Sequence, residues 1–99
     1  MENEFRIILL RDIETFISYL SPEDQDKISG AIRALRNKKF DSIYIKQLRG
    51  DIKELRVKKI RLIFFIHKET VYFVRILIKK TNKTPKNEIE TAIKRRCKY

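Results

Sequence analysis

Two arginines and a glutamate are spaced so that two neighbouring strands could present them on one surface. Side chains alternate between the faces of a strand, so Glu54 and Arg56 share one face, and Arg61 begins a similar face on the next strand. A turn at Lys58 and Lys59 would pair these strands and bring Arg56 beside Arg61. Two fixed guanidinium forks side by side suit the oxygens of a phosphate. The plainer alternative is a pair of cations on a solvated sheet face.

Basic residues are concentrated in the second half of the chain. Residues 1–50 contain nine Lys or Arg against eight Asp or Glu, whereas residues 51–99 contain fifteen against five, and the formal net charge is +11. Such a charge attracts polyanions: nucleic acid first, then acidic proteins, then anionic membrane surfaces. The lysines that we predict to contact a polyanion around the two arginines are Lys53, Lys58, Lys59, Lys79 and Lys83, with Lys80 beside them.

Length and composition predict one folded domain that spans residues 1–99. The chain is 42% hydrophobic and 37% charged, so it can bury a core and is not disordered as a whole. A single cysteine, Cys97, excludes an internal disulfide framework and any multi-cysteine zinc site, and it fits a reducing cytoplasm. The acidic N-terminus and the short apolar runs predict neither export nor a membrane span.

Hydrophobic periodicity predicts an α+β fold with the order β-α-α-β-β-β-β-α. The apolar run at residues 5–10 predicts a strand buried on both faces. Helical spacing starts at Ile13, and a second helix begins at the Ser21 cap and Pro22. We expect these two helices to form an antiparallel hairpin on one face of the sheet.

Four strands in series complete the predicted sheet, which is small and mostly antiparallel. The runs are joined by connections of only a few residues, as in a meander, and they cover residues 43–48, 52–57, 60–66 and 71–78. Thr84 and Pro85 then have the residue types of a helix cap and a first helical residue, so a C-terminal helix is predicted.

Three segments of the sequence recur together in one known family. They are Glu54-Leu55-Arg56, Arg61 at the start of an aromatic strand, and the Lys-Lys-Thr-x-Lys-Thr-Pro run at residues 79–85 before a helix. In this order and spacing the chain resembles the HigB-like branch of the RelE/ParE toxin superfamily. The resemblance covers nearly the whole chain and implies a RelE-like fold.

The resemblance also implies a function, a set of partners and roles for the site residues. The family's toxins cut mRNA in the ribosomal A site without a metal or cofactor, so the implied partners are the ribosome, mRNA and a cognate antitoxin with a helix-turn-helix domain. Arg56 and Arg61 match the family positions for stabilising charge on the phosphate. Lys79 or Lys80 matches the basic residue that holds phosphate or acts as the acid, and we assign that role to Lys80. The lysines around them are then RNA-binding residues.

Two positions depart from the RelE pattern. Glu54 stands where RelE has lysine, and residues 86–89 lack the active-site tyrosine expected early in the last helix. Glu54 could be the general base of the reaction or an ion-pair partner that orients the arginines. Tyr99 could supply a phenol only if the last helix folded back over the sheet, an arrangement that we do not expect.

Other candidate residues fit structural roles better. His67 shares the face of Arg61 and has a suitable pKa range for proton transfer, but it ends its strand, so we interpret it as structural. Cys97 follows two arginines, yet no histidine or second cysteine supports a nucleophilic role. Strand spacing assigns to the core the aromatic residues Phe64, Phe65, Tyr72 and Phe73.

Two further functions use the same fold or the same charge. A ParE-like poison of DNA gyrase would share the fold and catalyse nothing. A basic RNA-binding or ribosome-associated protein would make phosphate contacts alone, with a strong dependence on salt. The run at residues 79–85 favours the ribonuclease over the gyrase poison, because it resembles the HigB-like branch.

Overall fold

Short alternating runs joined by tight turns build the sheet of this protein. The computed structural model describes residues 3–80 and 83–99, which form the strands β1 Arg6–Leu9, β2 Tyr44–Arg49, β3 Ile52–Val57, β4 Ile60–His67 and β5 Thr70–Ile78. Their order in the sheet is β1-β5-β4-β3-β2. Strands β2 to β5 are antiparallel neighbours, whereas β1 lies parallel to β5. The predicted α+β meander is therefore confirmed.

The helices begin where the sequence supplies suitable first residues. Ser21 accepts a hydrogen bond from the backbone N–H of Asp24 at 3.1 Å, and Pro22 is the first helical residue, as predicted. A 3-10 turn at Phe40–Ser42 leads from the second helix into β2. The helices of the described residues are α1 Arg11–Ser18, α2 Pro22–Arg36 and α3 Lys86–Arg96, and none is long and apolar enough to cross a membrane.

Two-residue turns fix the register of the last three strands. Lys58 has φ 58°, and Lys68 and Glu69 have φ 50° and 62°, all in the left-handed region. Such backbone matches the right-handed twist of the strands on either side of a hairpin. The turn at Lys58 and Lys59 thus pairs Val57 with Ile60 and continues along both strands.

Hydrophobic cores lie on both faces of the sheet. On one face, α1 and α2 pack through Ile13, Ile28 and Leu35 against Leu62 and Phe64. The opposite face, here called the α3 face, packs around Ala92 of α3 and includes the buried residues Ile52, Ile63, Phe65 and Val74. Burial of each large apolar side chain contributes about 1.5–3 kcal/mol.

The first strand differs from its prediction. It was expected to be buried on both faces, but Arg6 and Ile8 are exposed, and Ile7 and Leu9 are half-buried. The reason is that β1 is the edge of the sheet and pairs with β5 alone, so one face has no layer over it.

The C-terminal helix also departs from its prediction. It starts at Lys86, and Thr84 makes no cap because its hydroxyl donates to the Glu54 carboxylate instead. Contrary to the expectation, α3 folds back over the sheet and packs on β3, β4 and β5. The apolar residues of the α3 face need this cover, which explains the position of the helix.

Candidate functional site

The predicted arginine pair lies on the α3 face at the hairpin between β3 and β4. Arg56 is directly opposite Arg61 in the antiparallel register, and Glu54 is opposite Ile63. Period-two alternation therefore brings Glu54, Arg56 and Arg61 to one surface, and this juxtaposition is as predicted. We call the surface formed by Arg56, Arg61, Lys79 and Lys80 the arginine end of the α3 face.

Glu54 is buried and fully engaged in hydrogen bonds. The residue has 0% exposure, and its Oε1 accepts from Arg56 Nε at 3.0 Å. Its other oxygen accepts from the hydroxyl of Thr84. A buried carboxylate needs such partners, because removing a charge from water is costly. This geometry favours the predicted alternative in which Glu54 orients an arginine over the general-base role.

Arg56 is held from a second side by an aromatic ring. Its guanidinium carbon lies 4.8 Å from the ring centroid of Tyr44, the residue paired with it on β2. The side chain of Arg56 is 19% exposed, so part of it is open to solvent. An ion pair and a cation–π contact together place this cation at the surface of the sheet.

Arg61 is anchored by the backbone of the hairpin. The residue is 6% exposed, and Nη1 donates to the carbonyl of Lys58 at 2.8 Å and to that of Ile60 at 3.1 Å. The left-handed conformation of Lys58 belongs to the same turn. These bonds use one nitrogen of the fork, and the residue lines the cleft described next.

A cleft of about 530 Å³ opens beside Arg61, between the end of β5 and the residues that lead into α3. Its apolar wall includes Phe16 of α1. No carboxylate of residues 3–80 and 83–99 forms an ion pair with Arg61, Lys79 or Lys80. The cationic side chains that line the cleft are Arg61, Arg75, Lys79, Lys80 and Lys83. The cleft is therefore positive and suited to a phosphate group.

An ion pair that the sequence did not predict fixes the floor of the cleft. Arg75 Nε donates to Glu88 of α3, and Arg75 Nη2 donates to the other oxygen of Glu88 at 3.3 Å. This carboxylate raises the pKa of the Arg75 guanidinium further above its usual range. The Arg75–Glu88 ion pair and the hydrogen bond from Thr84 to Glu54 together attach both ends of residues 84–88 to the sheet.

The other predicted RNA-binding lysines are spread around this site. Lys53 projects to the opposite face of β3, beside Leu55 and Val57. Lys59 is exposed, and its carbonyl accepts from the backbone N–H of Lys79 at 2.6 Å. Of the predicted set, Lys79 and Lys83 line the cleft, together with Lys80, while Lys53 lies on the other face of the sheet.

Lys58 is engaged with α2 in the free protein. Its Nζ lies 2.9 Å from Oδ1 of Asp24. This hydrogen bond and the attraction between the charges raise the pKa of Lys58, and the same hydrogen bond lowers the pKa of Asp24. Both groups are at the surface, so the pair is screened by salt.

The remaining candidates lie away from the arginine end. His67 is at the opposite end of β4, six residues or about 20 Å from Arg61. The ring of Tyr99 packs at a tilt against those of Tyr72 and Phe65, with centroid distances of 4.5 and 5.9 Å. Cys97 is exposed and free. The described residues include no group of three or more side chains that could hold a metal ion.

The aromatic residues predicted as core are in the core. Phe64, Phe65 and Phe73 have 0% exposure, and Tyr72 is half-buried against Phe65. The prediction that these rings fill the sheet is confirmed, so they do not offer stacking surfaces to a base.

The sheet order and the position of α3 allow the fold to be compared with those of solved structures. The chain is similar to a solved structure titled as the RelB-RelE antitoxin-toxin complex from Methanococcus jannaschii, with a TM-score of 0.62 and 16% sequence identity. The similarity covers 79% of this chain and 99% of the matched chain. The RelE-like fold implied by the sequence is therefore confirmed.

The sequence itself identifies the family. Residues 15–97 match the family described as phage derived protein Gp49-like (DUF891), and the chain belongs to this family. No protein of curated function matches the chain. The finer assignment to the HigB-like branch remains a prediction from the sequence motifs.

Proposed function

We propose that this protein is the toxin of a type II toxin–antitoxin pair and that it cleaves mRNA on the ribosome. The observation that carries the proposal is the direct pairing of Arg56 with Arg61 beside a cationic cleft on a RelE-type fold. Two fixed guanidinium forks favour a phosphate as the ligand, and the cleft has room for the chain that carries it.

The proposed reaction is an attack of the ribose 2′-oxygen on the adjacent phosphorus atom. The 2′-oxygen gives its proton to a solvent water as the new O–P bond forms, the bond to the 5′-oxygen breaks to leave a 2′,3′-cyclic phosphate, and the departing 5′-oxygen gains a proton. Arg56 and Arg61 stabilise the negative charge that builds on the phosphate oxygens. Lys80 donates the proton to the departing oxygen, and Lys79 holds the phosphate.

Glu54 acts in this proposal through Arg56. A general base must approach the hydroxyl that it deprotonates, but Glu54 has 0% exposure and both oxygens are occupied. Its carboxylate holds the Arg56 fork in place and lowers the cost of keeping that cation at the sheet surface. We therefore assign Glu54 as a positioning residue.

An antitoxin is the proposed protein partner. The RelE chain that shares this fold was solved in a complex with RelB, an antitoxin. A cell that makes an active toxin needs an inhibitor, and an acidic surface would complement the net charge of +11. Resemblance to the HigB-like branch favours an inhibitor with a helix-turn-helix domain.

A cell-free bacterial translation reaction tests the proposal. Purified protein is added to the reaction, and mRNA ends are mapped by primer extension, with naked mRNA as the control. We expect cuts on translated mRNA alone. Intact mRNA together with accumulated cleaved DNA in a gyrase assay would contradict the proposal and favour a ParE-like poison. If both mRNA and DNA stay intact, the remaining function is that of a basic protein that binds phosphate groups and cleaves nothing.

A further inference from the structure

We infer that the exposed ring of Tyr44 binds one nucleotide of single-stranded RNA next to the two arginines. The inference rests on the proposed function and extends it, because it names a part of the substrate that the site would hold. Tyr44 received no role from the sequence. Its place beside Arg56 follows from the strand register.

Tyr44 lies in one row with the two arginines across the sheet. Tyr44 pairs with Arg56, Arg56 pairs with Arg61, and Arg61 pairs with Leu77, so the four residues form one row across β2 to β5. Neighbouring strands lie about 4.8 Å apart, which places Arg61 two spacings, or about 10 Å, from Tyr44. A nucleotide on Tyr44 would therefore adjoin a phosphate on the arginines.

The ring of Tyr44 is exposed to solvent beside Arg56. Tyr44 is 58% exposed, although it lies within a strand and touches a cation. The aromatic residues of β4, in contrast, are buried at 0% exposure. An exposed ring on a sheet, beside fixed cations, is the arrangement on which proteins stack unpaired bases.

Fluorescence of a Tyr44→Trp variant gives a direct readout, because the chain contains no other tryptophan. Tyr19→Trp is the matched control, since Tyr19 is 84% exposed at the end of α1, outside the row. The probe is a ten-nucleotide single-stranded RNA. We expect saturable quenching of the Tyr44→Trp variant and no quenching of the control.

Binding and cleavage are then measured for Tyr44→Ala and Tyr44→Phe. Loss of one stacked base should weaken RNA binding about 5- to 100-fold in Tyr44→Ala, whereas Tyr44→Phe keeps the ring and should bind like the wild type. Cleavage in the translation reaction should fall in Tyr44→Ala and persist in Tyr44→Phe.

The two proposals fail in different ways. If the wild type cleaves mRNA and Tyr44→Ala cleaves equally well, the inference is overturned and the proposed function stands. If the wild type does not cleave mRNA, the proposed function fails, and RNA binding alone decides the inference. Equal RNA affinity of Tyr44→Ala and the wild type, or an absence of quenching in Tyr44→Trp, would then overturn it.

Discussion

The two ends of the α3 face use cations in different ways. At the end covered by α3, Arg95 pairs with Asp12 at 2.9 Å, and Arg96 pairs with Asp51 at 3.0 Å while lying 4.3 Å over the ring of Phe65. At the arginine end, Arg61 is anchored by backbone carbonyls and has no carboxylate partner among the described residues.

The difference separates cations that hold the fold together from cations that are available to a ligand. A carboxylate beside an arginine neutralises its charge and occupies its donors. Carbonyl groups fix the position of a guanidinium but leave its full charge. Arg61 therefore has both a fixed position and an unbalanced positive charge, which a phosphate would balance, whereas Glu54 already offsets the charge of Arg56.

Phe65→Ala tests the covered end and should give the largest effect. Phe65 is fully buried between β5 and the C-terminal Tyr99. Loss of this ring should lower the free energy of unfolding by about 3–5 kcal/mol, as measured by urea denaturation. Cleavage per folded molecule should stay near the wild-type rate. A folded Phe65→Ala variant that has lost cleavage would show that the covered end also contributes to activity.

Lys80→Ala tests the arginine end at the proposed acid. Removal of a general acid should lower the cleavage rate about 10²-fold or more, while Lys79→Ala, which removes phosphate binding, should cost about 10-fold. Single-turnover cleavage on programmed ribosomes measures both rates. Equal rates for Lys80→Ala and the wild type would exclude Lys80 as the acid.

Glu54 is the buried carboxylate of the arginine end, and its substitution tests whether it positions Arg56. Glu54→Ala leaves Arg56 and Thr84 without a partner, so unfolding should become easier by about 1–3 kcal/mol. Glu54→Gln keeps an acceptor for Arg56 and should retain part of the cleavage activity. Urea denaturation and cleavage are measured on both variants. Complete loss of cleavage in a stable Glu54→Gln variant would identify Glu54 as the general base instead.

Lys58→Ala should have the smallest effect on stability, because it removes only the surface ion pair with Asp24. The lowered pKa of Asp24 means that its contribution to stability is present above the unfolded value of 3.8 and is lost as pH falls through the folded pKa. The raised pKa of Lys58 means that its contribution is present below 10.5 and is lost as pH rises through the folded pKa.

Thermal unfolding across pH measures this small contribution. The difference in Tm between the wild type and Lys58→Ala should therefore be largest between these limits and should shrink in strong acid, in strong base and at high salt. A difference that persists unchanged in 1 M salt would contradict the surface ion pair.

The sequence predicts the arginine pair because its geometry is local. Alternation along β3 and β4 and a two-residue turn are sufficient to place Arg56 opposite Arg61. The burial of Phe64, Phe65 and Phe73 follows from the same periodicity. These predictions need no knowledge of distant parts of the chain.

Features that depend on an irregularity or on distant contacts were not predicted. The register between β4 and β5 shifts between Ile63 and Phe64, so Arg75 rather than Val74 is paired with Ile63. Such a bulge changes the face of the sheet on which each later residue of β5 lies. The sequence alone therefore did not show whether Lys79 or Lys80 shares the face of Arg61. The same limit applies to the Arg75–Glu88 pair, which depends on where α3 packs.

Matched arginine substitutions at the two ends distinguish an arginine that binds the ligand from one that stabilises the fold. Cleavage of translated mRNA is measured for Arg61→Ala and Arg96→Ala, each corrected for its folded fraction by circular dichroism. We expect a loss of about 10²- to 10³-fold for Arg61→Ala and a rate near that of the wild type for Arg96→Ala. Equal effects of the two substitutions, or full activity of a folded Arg61→Ala variant, would contradict this expectation.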